Sequence, residues 1–178
     1  MSKKHTAASV LEKVYYYAGD VIASDRLKQE AKYRHHGSVS CYEHSVAVTL
    51  LSVRMADRLG LNVDMESMVK GALLHDYFLY DWRETGCGRR GHGFHHARCA
   101  LANAQRDFEL TPISCDVIEK HMFPLNIRLP KYKESVVVSI ADKLCATKEV
   151  YHFVIGKLRS DKDGSVGYGR KRLEPNMD

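Results

Sequence analysis

Apolar positions along the 178-residue chain recur at helical rather than strand spacing. Val10, Val14, Tyr17 or Ala18, Val21 and Ile22 alternate with charged residues, which predicts a helix over about residues 6–32. His35-His36-Gly37-Ser38 interrupts that pattern, and Ser40 is placed to cap a second helix over about 42–59, closed by Gly60. The predicted inner stripe of this helix is His44, Val48, Leu51, Met55 and Leu59, so a histidine falls on an apolar face. Asn62 or Asp64 caps a third helix, in which Met65, Met68, Val69, Ala72 and Leu73 lead to the doublet His75-Asp76.

Residues 83–94 have no periodicity and carry Gly86, Gly88, Gly91 and Gly93 among Arg89, Arg90 and His92, which predicts a loop suited to be a lid or a plain solvated connection. His95 and His96 precede or open a further helix through Ala97, Ala100, Leu101, Ala104 and Phe108. In a first helical turn the macrodipole would keep an imidazole neutral and available as a ligand. Thr111-Pro112 caps a short helix running through Val117 and Ile118 to His121, and Pro124 ends it. The last long element spans about 132–155, with Val138, Asp142, Cys145 and Ala146 on one face. Glycine and dense charge from Gly156 onward predict a partly ordered tail. The elements add up to an all-α fold of six to seven helices in one domain, residues 1–158, followed by a basic, flexible tail over 159–178.

A hydrophobic share of 44% suits one globular domain with a real core. No apolar run approaches the roughly 18 residues of a membrane span, and no apolar stretch follows Met1-Ser2-Lys3-Lys4-His5, so a soluble, cytoplasmic protein is expected. The five cysteines are odd in number and lack CxxC spacing, which argues for reduced thiols and against a thiolate zinc site. The net charge of +5 supports an anionic ligand only weakly, because Arg159, Lys162, Arg170, Lys171 and Arg172 cluster in the tail.

Chemistry enters with the polar residues that fall on apolar faces: His44, His75, Asp76, His96, His121 and Asp142, from five predicted helices. A single buried histidine is more often a hydrogen-bonded core residue. Six converging cases favour a metal. Imidazole and carboxylate without thiolate suit one or two divalent ions such as iron, manganese, nickel, cobalt or magnesium, with positions left open for water. Adjacent helical residues diverge by about 100°. His75 and Asp76 therefore share a pocket only at the helix edge or where the helix loosens.

His44 in Tyr42-Glu43-His44-Ser45, the doublet after Gly71-Ala72-Leu73-Leu74, and Asp142 in Ala141-Asp142-Lys143 resemble the successive motifs of HD-domain metal-dependent phosphohydrolases, an all-α helical bundle. The resemblance covers most of 42–151 and implies a first ion on His44, His75, Asp76 and Asp142. It further implies that Asp76 bridges to a second ion held by His96 and His121. The Gly-Tyr-Pro signature of cyclic-dinucleotide HD enzymes is absent, as is the length of the large deoxynucleotide triphosphohydrolases, which leaves small two-metal HD proteins such as diadenosine-polyphosphate hydrolases as the comparison.

The implied reaction is hydrolysis of a nucleotide or other phosphoester or phosphoanhydride by a metal-activated water, with Asp76 central to catalysis and His95 as acid for the leaving group. Lys143, Arg83, Arg89 and Arg90 are candidates to hold phosphate. Trp82 and Tyr80 are expected first to pack in the core and second to stack on a base. His5, His35, His36 and His152 lack motif support and are expected to be structural or surface residues. A nucleotide-sensing module without turnover and a di-iron oxygenase on the same fold are the alternatives. A nucleic-acid partner ranks below them, resting only on the basic tail. The oligomeric state stays open.

Overall fold

The computed structural model describes residues 7–35, 39–81 and 88–164, with side chains described over 9–35, 39–81 and 95–155. Among the described residues seven α-helices form: α1 (Ala7–Ala23), α2 (Asp25–Lys28), α3 (Cys41–Leu59), α4 (Met65–Leu73), α5 (Gly88–Asp107), α6 (Pro112–Lys120) and α7 (Lys133–Gly164). A 3-10 turn, Gln29–Lys32, follows α2. Among the described residues no strand forms, only an isolated bridge between Arg34 and Ser40. The all-α expectation therefore holds.

The N-terminal helix differs from its prediction. It breaks at Ser24, whose hydroxyl accepts from the Arg26 N–H and starts α2 in a new direction. The break turns Leu27 and Glu30 inward, both at most 1% exposed. Local capping has outweighed continuation of the helix here.

Helix α3 is bounded as its sequence requires. Ser40 and Glu43 form a reciprocal capping box, and Gly60 closes the helix at φ 62°. Its inner face keeps His44 and Val48 of the predicted stripe, with Leu51 and Met55 partly buried against the core, but not Leu59. Cys41, His44, Ser45, Val48, Thr49, Ser52, Val53 and Ala56 are buried, whereas Leu59 is 65% exposed. Small hydroxyl residues suit the inside because Thr49 and Ser52 donate to the carbonyls one turn back, at 2.7 and 2.8 Å. Leu50 and Leu51 face an outer groove instead.

Helices α4 and α6 approach closely at Gly71, where an added Cβ would stand 2.7 Å from Val117 Cβ. Across the same contact Ser114 donates to the Ser67 carbonyl at 2.9 Å. Asp64 and Thr111 cap these two helices. The core lies where α1, α3, α4, α6 and α7 meet, around Val48, Met68, Leu73, Ile118 and Val138.

The predicted loop over 83–94 is corrected in its second half, because α5 begins at Gly88. Once the Ala-bearing part of a helix is formed, each upstream residue adds at little nucleation cost, even glycine. Residues 82–87 lie outside the described residues. Helix α7 likewise runs past the predicted end at 155 to Gly164, and 165–178 lie outside the described residues.

Candidate metal centre

Helix α4 stops at Leu73, and Leu74 leaves it at φ −107°, ψ 5°, so His75 and Asp76 stand in a turn. The Tyr77 N–H donates to the Leu74 carbonyl (3.2 Å) and the Phe78 N–H to the Asp76 carbonyl (2.8 Å). Asn103 of α5 then clamps the carbonyls of Tyr77 and Phe78, each at 3.1 Å. The helix has loosened at the doublet, and the fixed angle between neighbouring helical side chains no longer keeps the two apart.

Around this turn five elements deliver buried polar side chains: His44 from α3, His75 and Asp76 from the turn, His96 from α5, His121 at the end of α6 and Asp142 from α7. All six predicted ligands converge. Ligand atoms of His44, His75 and Asp76 lie within 4.8 Å of one another, as do those of Asp76, His96 and His121.

Three of the imidazoles are held the same way. His75 Nδ1 donates to the Ala72 carbonyl and His121 Nδ1 to the Ile118 carbonyl, both at 2.8 Å. His44 Nδ1 donates to Glu149 Oε1 at 2.8 Å. A carbonyl or carboxylate can only accept, so Nδ1 carries a proton in all three, and in neutral His75 and His121 Nε2 is left with a lone pair pointing inward. Tying the far nitrogen to an acceptor is how metal-binding histidines are oriented. His75 Nε2 is the sharpest case: it is buried, has no hydrogen-bond partner, and lies 3.7 Å from Asp76 Oδ2 and 3.8 Å from Asp142 Oδ1. An acceptor without a donor, beside two carboxylates, fits a cation between them.

Asp76 divides its oxygens. Oδ1 faces His96 Nε2 (3.5 Å) and His121 Nε2 (3.6 Å), while Oδ2 faces His75 Nε2 (3.7 Å) and His35 Nε2 (3.3 Å). His96 Nε2 and His121 Nε2 are 2.9 Å apart. There His96 Nε2–H donates to the His121 Nε2 lone pair in the metal-free protein, and the same separation suits adjacent ligands of one ion, since ligands about 2.1 Å from a metal at right angles are about 3 Å from each other.

The electrostatics point the same way. Burial, with His75 and His96 nearby, lowers the His121 pKa to about 3, and burial also lowers that of His75, so both rings are neutral. Burial opposes ionisation of Asp76, but His75, His35, His96 and His121 outweigh it and hold the carboxyl well below its usual range. Asp142 is likewise lowered against burial by the hydrogen bond from His44 and by His75 and His121. Burial would lower His44 too, yet hydrogen bonds to Asp142 and Glu149 push it up to about 10. In the metal-free protein His44 Nε2 therefore carries a proton toward Asp142 Oδ1, 3.1 Å away, at a place a metal would take over.

Two residues of this centre escaped sequence reasoning. His35, expected to be a structural or surface residue, stacks on His44 with ring centroids 3.6 Å apart and places Nδ1 3.0 Å from Glu149 Oε2. A short bridge positions it: the His35 N–H donates to the Val39 carbonyl and the Cys41 N–H to the Tyr33 carbonyl, both at 2.9 Å. No periodicity reveals such a loop residue. Glu149 was legible in principle, because it stands two helical turns after Asp142 on α7 and so on the same face. His35, His44 and Glu149 form a third group whose ligand atoms lie within 4.8 Å of one another.

The remaining candidates stand apart. His95 is exposed beside buried His96, and both lie well inside α5 rather than in its first turn, so the macrodipole does not set their state. Lys143 Nζ donates to the His121 carbonyl (2.6 Å) and Ser139 Oγ (3.2 Å) and approaches Asp142 Oδ2 (3.4 Å), which ties α7 to the end of α6. Tyr80 packs against Phe78 at 4.9 Å between ring centroids, and His152 is exposed on α7. His5, His36, Trp82 and Arg83 lie outside the described residues, and so do the side chains of Arg89, Arg90 and His92. Beneath the centre Glu30 is buried, and burial with the Asp76 charge pushes its carboxyl well above the usual range.

No helix among the described residues is long and apolar enough to cross a membrane. No curated protein and no solved structure matches the chain. The model of the HD domain matches residues 41–147, from the first residue of α3 into α7, and takes in all six converging ligands while leaving His35 and Glu149 just outside. HD domains bind divalent metal ions and are generally metal-dependent hydrolases. With well over half its length matched, and with buried His and Asp clusters at the heart of the matched stretch, the chain belongs to the HD domain family.

Proposed function

We propose that the chain is a phosphohydrolase that uses two divalent ions to cleave a phosphoester or phosphoanhydride, with nucleotides among its substrates. The observation that carries this reading is the unpartnered Nε2 of His75, aimed between the carboxylates of Asp76 and Asp142. His44, His75, Asp76 and Asp142 would hold one ion. Asp76, His96 and His121 would hold the other. Bound there, divalent ions supply Lewis acidity toward phosphoryl oxygens and lower the pKa of water.

The chain's own residues do the rest. The Ala72 and Ile118 carbonyls fix the tautomers of His75 and His121, so that their Nε2 lone pairs face inward without reorganisation, while Glu149 holds His44 Nδ1 so that its Nε2 faces inward once its proton is given up. Burial keeps His75 and His121 neutral, and the low local dielectric strengthens every charge interaction inside. Lys143 acts on the site through the His121 carbonyl, which it holds in place. Arg83, Arg89 and Arg90 are proposed to meet the substrate phosphates, on charge alone, and His95 is a proposed proton donor.

A panel of nucleotides and phosphoesters, assayed with Mn, Fe, Co, Ni and Mg in the absence of dioxygen, tests the reading. Phosphate release that disappears in His75→Ala is expected. Tight nucleotide binding without release under any ion would mark a sensor instead, and activity only with dioxygen would mark an oxygenase.

A further inference from the structure

The outer side of the α3–α7 pair carries an apolar groove of about 800 Å³. Helix α3 contributes Ala47, Leu50 and Leu51 to it, and α7 contributes Leu144, Cys145 and Phe153. The exposed apolar surface continues along α7: Ile140 is 46% exposed, Leu144 55%, Tyr151 62% and Phe153 52%, with Val136, Val150 and Val154 similar. A helix segment exposed around its whole circumference at Val150, Tyr151, Phe153 and Val154 does not match a solvent-facing surface. Together these side chains expose far more apolar surface than singly scattered surface residues do.

Glu43, Arg54, Lys148 and Glu149 line the groove together with His152, and the two charges on α3 are arranged for self-pairing. Glu43 and Arg54, both exposed, line it from the same face of α3. They are three helical turns apart, about 16 Å along the axis. In a two-fold interface residue i of one copy meets j of the other and j meets i. Laying the groove antiparallel on a second copy therefore brings Glu43 of each chain to Arg54 of the other, while a parallel arrangement sets like charges together.

We propose that this face is the interface of an isologous dimer, in which α3 and α7 of one chain pack antiparallel on α3 and α7 of a second copy. The metal centre lies on the inner side of the same helices. Glu149 lines the groove and also orients His44 and His35, so dimer packing sits one side chain away from the ligands.

Sedimentation of the full chain at micromolar concentration tests the proposal. The wild type is expected at twice the chain mass, and Leu144→Asp at the chain mass with unchanged helical circular dichroism. Glu43→Lys and Arg54→Glu, each alone, are expected to lose dimer, and an equimolar mixture of the two is expected to regain it, because both cross-pairs are then opposite in charge. A wild-type monomer would overturn the proposal, whether the groove is free or covered by the chain's own C-terminal residues. So would dimers that persist in Leu144→Asp, or a mixture that stays monomeric.

Discussion

The two sides of the α3–α7 pair reverse the usual distribution of polarity. Inside, α3 offers His44, Ser45, Thr49 and Ser52 and α7 offers Asp142 and Glu149, all buried or nearly so. Outside, the same helices present Leu50, Leu51, Ile140, Leu144 and Phe153 around an open groove. Each reversal is costly by itself. Buried carboxylates lose several kcal/mol of hydration each, and exposed apolar side chains forgo about 25 cal/mol per Å². A cation on the inner side and a second copy on the outer side would offset both, which makes a polar inner face a pointer to chemistry and an apolar outer face a pointer to a partner.

The largest effect is expected on the inner side. Asp76→Asn should lower activity by more than about 100-fold, beyond the range typical of residues that only orient ligands. The metal-free variant should also melt lower than the metal-free wild type, because the surrounding histidines hold the carboxyl well below its usual range and that stabilisation goes with it. Full activity and full metal content in the variant would remove Asp76 from the centre. Glu149→Gln keeps the shape but weakens the acceptor for His44 Nδ1 and His35 Nδ1, and metal affinity should fall about 10–100-fold. Direct titration of metal into the variant checks this, and an unchanged affinity would remove Glu149 from the centre.

Packing beneath the site is tested by Gly71→Ala. The new methyl group meets Val117 Cβ and Cγ1 at 2.7 and 2.8 Å, on a backbone held by the Ser114 to Ser67 bond. A loss of about 1–3 kcal/mol is expected by denaturant titration, with metal stoichiometry retained.

The smallest effect is a pH dependence of the metal-free protein. His44 rises from 6.5 to about 10 on folding, so its contribution to stability is complete below pH 6.5 and fades as pH climbs through about 10. Glu149 falls from 4.5 to about 2, so its contribution is present above pH 4.5 and fades toward pH 2. Burial lowers His121 and His75 on folding, so their contribution is present above pH 6.5 and fades below it, and melting temperature without metal should therefore peak near pH 6.5 and decline toward alkaline pH. With metal loaded the alkaline decline should be reduced, because the ion replaces the His44 proton. Equal alkaline slopes with and without metal would contradict this.

Much of this centre was legible as chemistry before it was legible as shape. Histidines and aspartates on apolar faces, in the order of the HD motifs, marked all six converging residues. What periodicity could not do was draw the inner face of α3 in full: it put Leu59 inside, which is 65% exposed, and passed over the small hydroxyl residues that pack there. Hydrophobic spacing reports that a face is apolar and not what covers it. His35 was missed because a turn fixed by two backbone hydrogen bonds places it, and Ser24 because a capping hydroxyl outweighed the continuing stripe. The start of α5 at Gly88 was hidden by glycines that a longer helix carries along.

The central claim is that Asp76 joins two metal sites through its separate oxygens. Loading the metal-free protein with Mn(II) and recording its electron paramagnetic resonance spectrum tests that most directly. The account predicts two Mn(II) per chain with a spin-coupled signal in the wild type, and loss of the coupling in Asp76→Asn. One uncoupled ion, or none, in the wild-type protein would contradict it.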